Sequence, residues 1–567
     1  MIGADALLKS LENQNVKQIF AYPGGAVLPI YDRMQEYDIR RVLVRHEQGA
    51  AFAAAGLSRA SQEIGVCLAT SGPGATNLIT GIADAKLDSI PMVILTGNVV
   101  KHLIGSDAFQ EIDIVGVCEP IVKHSYFVEY AEDLPRIIEE AFYLAKSGRP
   151  GPVLIDIPKS VQAEEISDKL WQKIVKKEKI KMSLPGYYYE FNDKFFNDQE
   201  IEKATQILSK AKKPIVIFGH GVVLSNAEYE LKKFLDKTKI PAVWTLHGIG
   251  AMDTKSKNCF GMIGMHGTAA ANFAAHDADV IIGIGIRFDD RITGTLDAFQ
   301  RNKKIIHFDI DPSEFDKNVY ADVKICGEIK NLLPLLTQKI NDLGDQIKTW
   351  TNTLEKKHKL WPISSTNGKK LTEITVIEEI FKNTDDNSIV IPDVGQNQMW
   401  TAQRFVGKKS RKFLSSGGLG TMGFSLPTAV GACFSGFETW SISGDGGFQM
   451  NLQELGTIAQ ENLPIKICIL NNGFLGMVRQ WQELFYDKNY EGTPLWNPNF
   501  KAIGEAYSIP SYYVDNLDDA KKMIKKMKNH KGPILCEFFV KREENVFPMV
   551  PAGKDLGQTL LNKIQTI

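Results

Sequence analysis

No excess of charge of either sign marks this 567-residue chain: 66 Lys and Arg against 67 Asp and Glu leave a formal net charge of −1, with the basic residues scattered. Neutralising a run of phosphates needs a basic patch, so no nucleic-acid partner is expected. Cysteine is scarce. Cys67, Cys118, Cys259, Cys326, Cys433, Cys468 and Cys536 are odd in number, far apart and mostly set in apolar runs such as IKICIL. They read as reduced core residues, which excludes a disulfide framework, and no pair has the close spacing of a zinc site. Long apolar runs able to cross a membrane are also missing, so no membrane partner is expected. The opening residues, MIGADALLKSLENQNVKQIFAYPGG, enter an amphipathic helix and then a strand, so no signal or transit peptide is expected.

What is present is an alternation of strand-like and helix-like runs. KQIFAYP, IGVCLAT, MVILTG and VLIDIP come early, KPIVIFGHG, VIIGIGI and KIIHFDI midway, and SIVIPDVG, WSISGDG and IKICILNN late. Continuous apolar strands separated by helices imply parallel sheets covered on both faces, an α/β class. Two polar, aperiodic stretches interrupt the rhythm, at about 165–197 and 345–370, and read as exposed linkers. The expected divisions are 1–165, 190–345 and 370–540, with a Pro- and Gly-containing tail over 541–567 that is either an ordered lid or a frayed end.

The stretch SGDGGFQMNLQELGTIAQENLPIKICILNN, Ser443 to Asn472, carries the first chemistry. One apolar strand ends in Gly-Asp-Gly-Gly and the next, after a helix, ends in Asn-Asn. In such a βαβ unit both carboxyl ends emerge on one edge of the sheet. If the strands are neighbours, Asp445 and Asn472, 27 positions apart, converge on one ion. A carboxylate, an amide oxygen and a nearby carbonyl such as that of Phe474 form a hard oxygen set suited to Mg²⁺. Gly446 and Gly447, just before the helix, leave room and backbone N–H groups for a phosphate. Either half alone is ordinary turn chemistry; together they read as a Mg²⁺-diphosphate site.

This pair resembles the thiamine diphosphate motif, Gly-Asp-Gly followed some 25 to 30 residues later by Asn-Asn. That resemblance implies a second element, a carboxylate acting on the cofactor's aminopyrimidine, and VLVRHEQGAAFAAAGLSRA is similar to the family segment that carries it, at Glu47. It implies Rossmann-like amino- and carboxyl-terminal catalytic domains for the pyrimidine and the diphosphate, around a central Rossmann-like domain. It further implies that Glu47 of one subunit serves the diphosphate domain of its partner, in a homodimer or tetramer. SSGGLGTMGFSLPTAVGA resembles the segment that grips the pyrimidine, through Gly420 and Met422. DVGQNQMW would supply diphosphate contacts from Gln396 and Asn397, with Asn397 standing where many relatives have His.

Further stretches are similar to acetohydroxyacid synthase, also called acetolactate synthase, in its large catalytic subunit. FAYPGGAVLPIYD places Gly25 at a strand end, GSDAFQEIDIVG matches with Phe109 and Gln110, and DIPKSVQ matches with Lys159. NNGFLGMVRQWQELFYD supplies Met477, Val478 and Trp481 at acceptor-pocket positions, where the indole favours a slightly larger second 2-keto acid. GIGIRFDDRITG carries the Arg-Phe-Asp-Asp-Arg motif of the biosynthetic enzymes, with Ile292 in place of Val, and implies FAD in the central domain. Arg287 would face the flavin and Arg291 the second substrate's carboxylate. Flavin contacts are similarly implied for Arg149, Gly219, Gly221, Thr245, Leu246, Met265, His266, Asp309 and Asp322. The implied reaction decarboxylates pyruvate and transfers the hydroxyethyl group to pyruvate or 2-ketobutyrate, the first common step toward valine, leucine and isoleucine. A FAD-linked pyruvate oxidase and a fermentative acetolactate synthase are the alternatives. A small regulatory subunit is the expected partner, and a plastid stroma or a bacterial cytoplasm the expected setting.

Overall fold

A computed structural model of the chain describes residues 1–185, 198–363, 370–407, 409–563 and 565–566. Its apolar runs form three wholly parallel sheets. The first contains β1 (Gln18–Ala21), β2 (Arg40–Leu43), β3 (Gly65–Ala69), β4 (Met92–Asn98), β5 (His124–Phe127) and β6 (Pro152–Pro158), in the order β2-β1-β3-β4-β6-β5. The second contains β7 (Pro214–Phe218), β8 (Ala242–Trp244), β9 (Cys259–Met262), β10 (Val280–Ile284), β11 (Lys304–Asp309) and β12 (Val323–Cys326), in the order β12-β11-β10-β7-β8-β9. The third runs β13 (Ile389–Pro392), β14 (Thr439–Gly444), β15 (Ile465–Asn471), β17 (Ile534–Phe539), β16 (Ser511–Val514) across the sheet. Helices flank each sheet, as continuous apolar strands demand: β3, β4, β6, β7, β10, β13 and β15 are buried along their whole length.

The two outer sheets share one strand order. Residues 412–414 lie parallel to the free side of β13, with Val390 N–H donating to the Lys412 carbonyl at 2.8 Å and Leu414 N–H to that of Val390 at 3.1 Å. Counting this short segment second, the third sheet repeats the 2-1-3-4-6-5 order of the first. The helices that follow the second strand in each, Glu47–Ala60 and Ser425–Cys433, pack directly on one another. Glycine makes that possible: a Cβ on Gly56 would stand 2.2 Å from the Thr428 carbonyl oxygen, and one on Gly431 only 1.7 Å from that of Ala53. Phe52 and Phe424 close the seam edge to face, within one buried cluster shared by both outer sheets.

The middle sheet has the dinucleotide-binding order 3-2-1-4-5-6, whose crevice opens where β7 and β10 diverge. Part of the stretch read as a linker at 345–370 is instead the helix Gly344–Leu360. Its Ile347, Trp350 and Leu354 recur on one helical face and are buried on the middle sheet, with Trp350 Nε1 donating to the Pro214 carbonyl at 3.0 Å. The earlier stretch opens with the helix Asp168–Val175, while the expected division at residue 190 lies outside the described residues. The carboxyl-terminal tail is ordered against the body: Val546, Met549, Val550 and Leu556 are buried, and Val550 N–H donates to the Met265 carbonyl at 2.7 Å. Among the described residues no helix is long and apolar enough to cross a membrane.

Candidate active site

β14 and β15 are hydrogen-bonded neighbours in parallel, with Gly444 opposite Leu470, so Asp445 and Asn472 leave the same edge side by side. Asp445 accepts from Gly446 N–H at 3.1 Å through Oδ1, and from Gly473 N–H at 2.9 Å and Asn497 Nδ2 at 2.6 Å through Oδ2. Burial pushes its carboxyl up to about 6, against the pull of those donors. Asn472 accepts from Phe474 N–H at 2.9 Å and donates through Nδ2 to Glu373 at 2.8 Å. Glu373 itself is fully buried and pushed up to about 8 by desolvation. Asn497 and Glu373 had no motif to announce them; each becomes meaningful only once the chain has brought it against Asp445 or Asn472.

The glycines after Asp445 are hemmed in. A Cβ on Gly446 would meet Leu475 Cδ2 at 2.6 Å and Met422 Cε at 3.7 Å, and one on Gly447 would meet Asp393 Oδ1 at 2.6 Å. Met422 therefore lies over the Asp445 turn. Gln396 donates through Nε2 to Gln480 Oε1 at 2.9 Å and the Glu544 carbonyl at 2.7 Å, and its Oε1 and Asn472 Nδ2 both crowd the Cβ position of Gly476, at 2.2 and 3.1 Å. Asn397 is buried with its Oδ1 unpartnered among the described residues, and its Nδ2 faces Gly395 and Gly444.

A cavity of about 600 Å³ opens beside this edge, between all three sheets. From the third sheet Gly420, Met422, Met477, Val478 and Trp481 line it. Met477, Val478 and Trp481 ride the helix Gly476–Phe485, with the indole tilted against Phe485 at 5.1 Å. From the middle sheet come Gly221, Thr245, Leu246, Met265, His266 and Asp309, together with Arg287 and Arg291. A Cβ on Gly221 would stand 2.5 Å from Gly285 Cα, so glycine lets the turns after β7 and β10 cross at the crevice. Gly219 sits one step behind, packed on Ile286 and Thr245. His266 is neutral, lowered to about 4 by burial. Arg149 reaches in from the amino-terminal sheet, paired with Glu314 at 2.6 Å and Asp311 at 3.3 Å. Asp322 is a correction. It precedes β12 and binds Lys304 Nζ at 2.6 Å and Ile305 N–H at 2.9 Å, at the amino ends of the strands and thus on the edge opposite the cavity. His220 and His247, stacked 5.0 Å apart on the cavity wall, were not singled out from sequence, since a lone histidine in a turn carries no pattern.

The remaining expected residues gather elsewhere, at the carboxyl edge of the first sheet. Glu47 opens the helix Glu47–Ala60 behind His46, whose Nδ1 accepts from Gln48 N–H at 3.1 Å. The Glu47 carboxylate is buried; Asn77 Nδ2 donates to its Oε2 at 2.9 Å, and Oε1 faces Gly74. Thr70 packs against Gly24 and Gly74, and its hydroxyl takes the N–H of Ala26 beside Gly25. Gln110, in a left-handed turn at φ 61°, folds onto Gly72. Lys159 follows β6 at the start of the helix Lys159–Ala163, and Phe109 is 88% exposed. None of these five lines the cavity. The cavity instead takes Leu87, Asp88 and Ser89, which precede β4, so the seven-residue strand, about 20 Å long, separates the two regions in one chain.

Three family models match in sequence order: the thiamine pyrophosphate enzyme N-terminal TPP binding domain over residues 1–117, the central domain over 201–336 and the C-terminal TPP binding domain over 393–538. The acetolactate synthase large subunit of Porphyra purpurea is 43% identical over 573 residues, covering 98% of this chain and 95% of that protein. The chain belongs to the acetolactate synthase family of thiamine pyrophosphate enzymes. The same identity, 43%, holds against the acetolactate synthase isozyme 2 large subunit of Escherichia coli K12, over 99% of each chain. It holds again against the chloroplastic acetolactate synthase of Arabidopsis thaliana, over 97% of this chain and 83% of that one.

The residues present fit the acetolactate synthase family's cofactor. A carboxylate and an amide leave adjacent strand ends side by side, the buried Asn397 turns its Nδ2 to Gly444 with its Oδ1 unpartnered among the described residues, and the Met422 thioether lies over the Gly446 turn. The three-sheet cavity, at a glycine-lined crevice of dinucleotide-binding strand order, likewise has the form and two arginines that a flavin dinucleotide needs.

Proposed function

We propose that the chain is an acetohydroxyacid synthase catalytic subunit, which decarboxylates pyruvate and joins the two-carbon remainder to a second pyruvate or to 2-ketobutyrate. The observation that carries the reading is the shared edge of β14 and β15, which Asp445 and Asn472 leave side by side, with Met422 over the Gly446 turn and Trp481 on the cavity wall. Bound thiamine diphosphate supplies a nucleophilic carbon that adds to a keto acid and accepts the electron pair left when CO₂ departs. Asp445, Asn472 and the Phe474 carbonyl would hold Mg²⁺, with the backbone N–H groups of Gly446 and Gly447 and the side chains of Asn397 and Gln396 meeting the diphosphate. Gly420 and Met422 would present the pyrimidine side.

Glu47, with Oε2 occupied by Asn77, would exchange a proton through Oε1. Because β4 keeps it from the cavity of its own chain, it serves the site of a partner, so the active unit is at least a homodimer. Gly25, Phe109, Gln110 and Lys159 lie on the same edge and would meet the substrate there. Met477, Val478 and Trp481 would size the acceptor pocket, and Arg291, exposed on the cavity rim, would fix the acceptor carboxylate. FAD would occupy the central crevice between Gly221 and Arg287; the reaction has no redox step, so its part there is structural. A small regulatory subunit, and a plastid stroma or bacterial cytoplasm, complete the reading, in keeping with chloroplastic and bacterial relatives.

The test is a competition assay. Purified protein with thiamine diphosphate, Mg²⁺ and FAD receives pyruvate and 2-ketobutyrate together, and both acetohydroxyacids are quantified. Predominant 2-aceto-2-hydroxybutyrate is the expected result. Peroxide or acetaldehyde without either product would overturn the reading.

A further inference from the structure

The loop that carries Gly420 and Met422 is anchored by a domain to which it does not belong. Two carboxylates of the amino-terminal sheet's helical layer, Asp84 and Asp88, meet the buried guanidinium of Arg59 at 2.7 and 2.8 Å. Arg59 also donates to the Ser415 carbonyl at 3.1 Å and lies 5.1 Å from the Phe424 ring centroid. Asp88 accepts the N–H groups of Gly417 at 3.2 Å and Gly418 at 2.7 Å, and His247 of the middle sheet stands 3.0 Å from its Oδ1. Gln398 fixes Ser415 Oγ at 2.7 Å and the Ser416 carbonyl at 2.8 Å. On the far side, Asp393 takes Gly423 N–H at 2.9 Å and Ser425 N–H at 3.0 Å.

Between these anchors the tip, Leu419 to Met422, projects over the cavity with Gly420 at φ 71° and no atom near its Cβ position. One side-chain bridge reaches into it. Ser416 Oγ donates to Asp84 Oδ1 and accepts the N–H of Thr421 at 2.9 Å, while Thr421 Oγ1 lies 3.5 Å from the same carboxylate oxygen. Thr421 is the residue between the two that would grip the cofactor. Its N–H direction fixes the peptide plane that turns the Gly420 carbonyl.

We propose that Asp84, acting through the hydroxyl of Ser416, is a positioning residue that sets the loop tip Leu419–Met422 in its cofactor-gripping conformation. The cofactor's affinity is thereby tuned by the amino-terminal domain of the same chain, in addition to the base lent by a partner chain. This rests on the reading of Gly420 and Met422 as cofactor contacts. A hydrogen bond to a charged group is worth enough that losing it from a pre-formed loop costs about tenfold in affinity.

The test titrates the full-length protein with thiamine diphosphate at saturating Mg²⁺ and reads the quench of tryptophan fluorescence. Ser416→Ala leaves the Arg59–Asp84–Asp88 cluster intact and is expected to weaken binding about tenfold while the melting temperature without cofactor stays within a few degrees of wild type. Asp84→Asn is expected to weaken it similarly, and the double variant no further than the weaker single one, since both act through one bridge. Binding by Ser416→Ala within about twofold of wild type, or additive losses in the double variant, would overturn the proposal and leave the family site standing. Failure of the wild type to bind thiamine diphosphate would sink both.

Discussion

Glu454 shows how a single buried acid can tie two sheets together. It belongs to the layer after Asp445, yet its carboxylate accepts the N–H of Arg45 at 3.1 and 3.3 Å and lies where a side chain on Gly49 would have to go. Thr457 Oγ1 donates to it at 2.6 Å. Desolvation nonetheless pushes its carboxyl up to about 7. An acid whose folded pKa is raised stabilises the fold fully below its unfolded value near 4.5 and loses that contribution as pH climbs through 7. Glu454→Gln, which keeps the shape and does not titrate, should therefore gain on wild type between about pH 4.5 and 7, by at most roughly 3 kcal/mol, and hold level above. Melting temperatures of the two proteins across that range check it; a difference independent of pH would place the proton elsewhere.

Among elements, the seam between Glu47–Ala60 and Ser425–Cys433 is the most demanding. Gly431→Ala would drive a methyl group into the backbone of Ala53, which cannot swing aside as a side chain can. We expect a loss of about 1–3 kcal/mol or no soluble protein, whereas Gly151→Ala, whose Cβ would meet Lys123 at an ordinary 3.5 Å, should melt like wild type. Elements were also where the sequence was most readable. The paired strand ends at Asp445 and Asn472 could be placed because a βαβ unit of that length leaves little freedom in where its ends emerge. Trp350 and its helix were missed because a mostly polar segment with three apolar positions looks like a linker until a sheet is there to cover them. Asp322 was misplaced for a related reason: a residue beside a strand can be assigned to it without revealing at which end it works. Glu373 and Asn497 could not be found at all, since each acts through a tertiary contact and neither belongs to a local pattern; Ser416 sits inside the SSGGLGTMG stretch, but its contact with Asp84 of another domain is visible only in the fold.

For the whole molecule, the decisive fact is that Glu47 and the Asp445 site lie at opposite ends of β4. On the function proposed above, each active site draws on two chains, and two different defects should complement. Glu47→Gln and Asp445→Asn chains, each expected to be nearly inactive alone, should on co-expression form mixed dimers with one sound site and one doubly damaged site. Random pairing restores about a quarter of wild-type activity. Tandem affinity tags that isolate the mixed dimer make the measurement clean, and recovery no greater than the sum of the two single proteins would place base and metal site in the same chain.

The glycine seam also bears on manufacturing tolerance. Where two helices touch through side chains, every substitution resets their spacing; where they touch peptide to peptide, the spacing is set by van der Waals contact of backbone atoms, which only a substitution of the glycines themselves disturbs. Gly56 and Gly431 thus act as a mechanical stop between the outer sheets. The hundreds of residues around them can drift in sequence while the gauge that sets one outer sheet against the other keeps its setting.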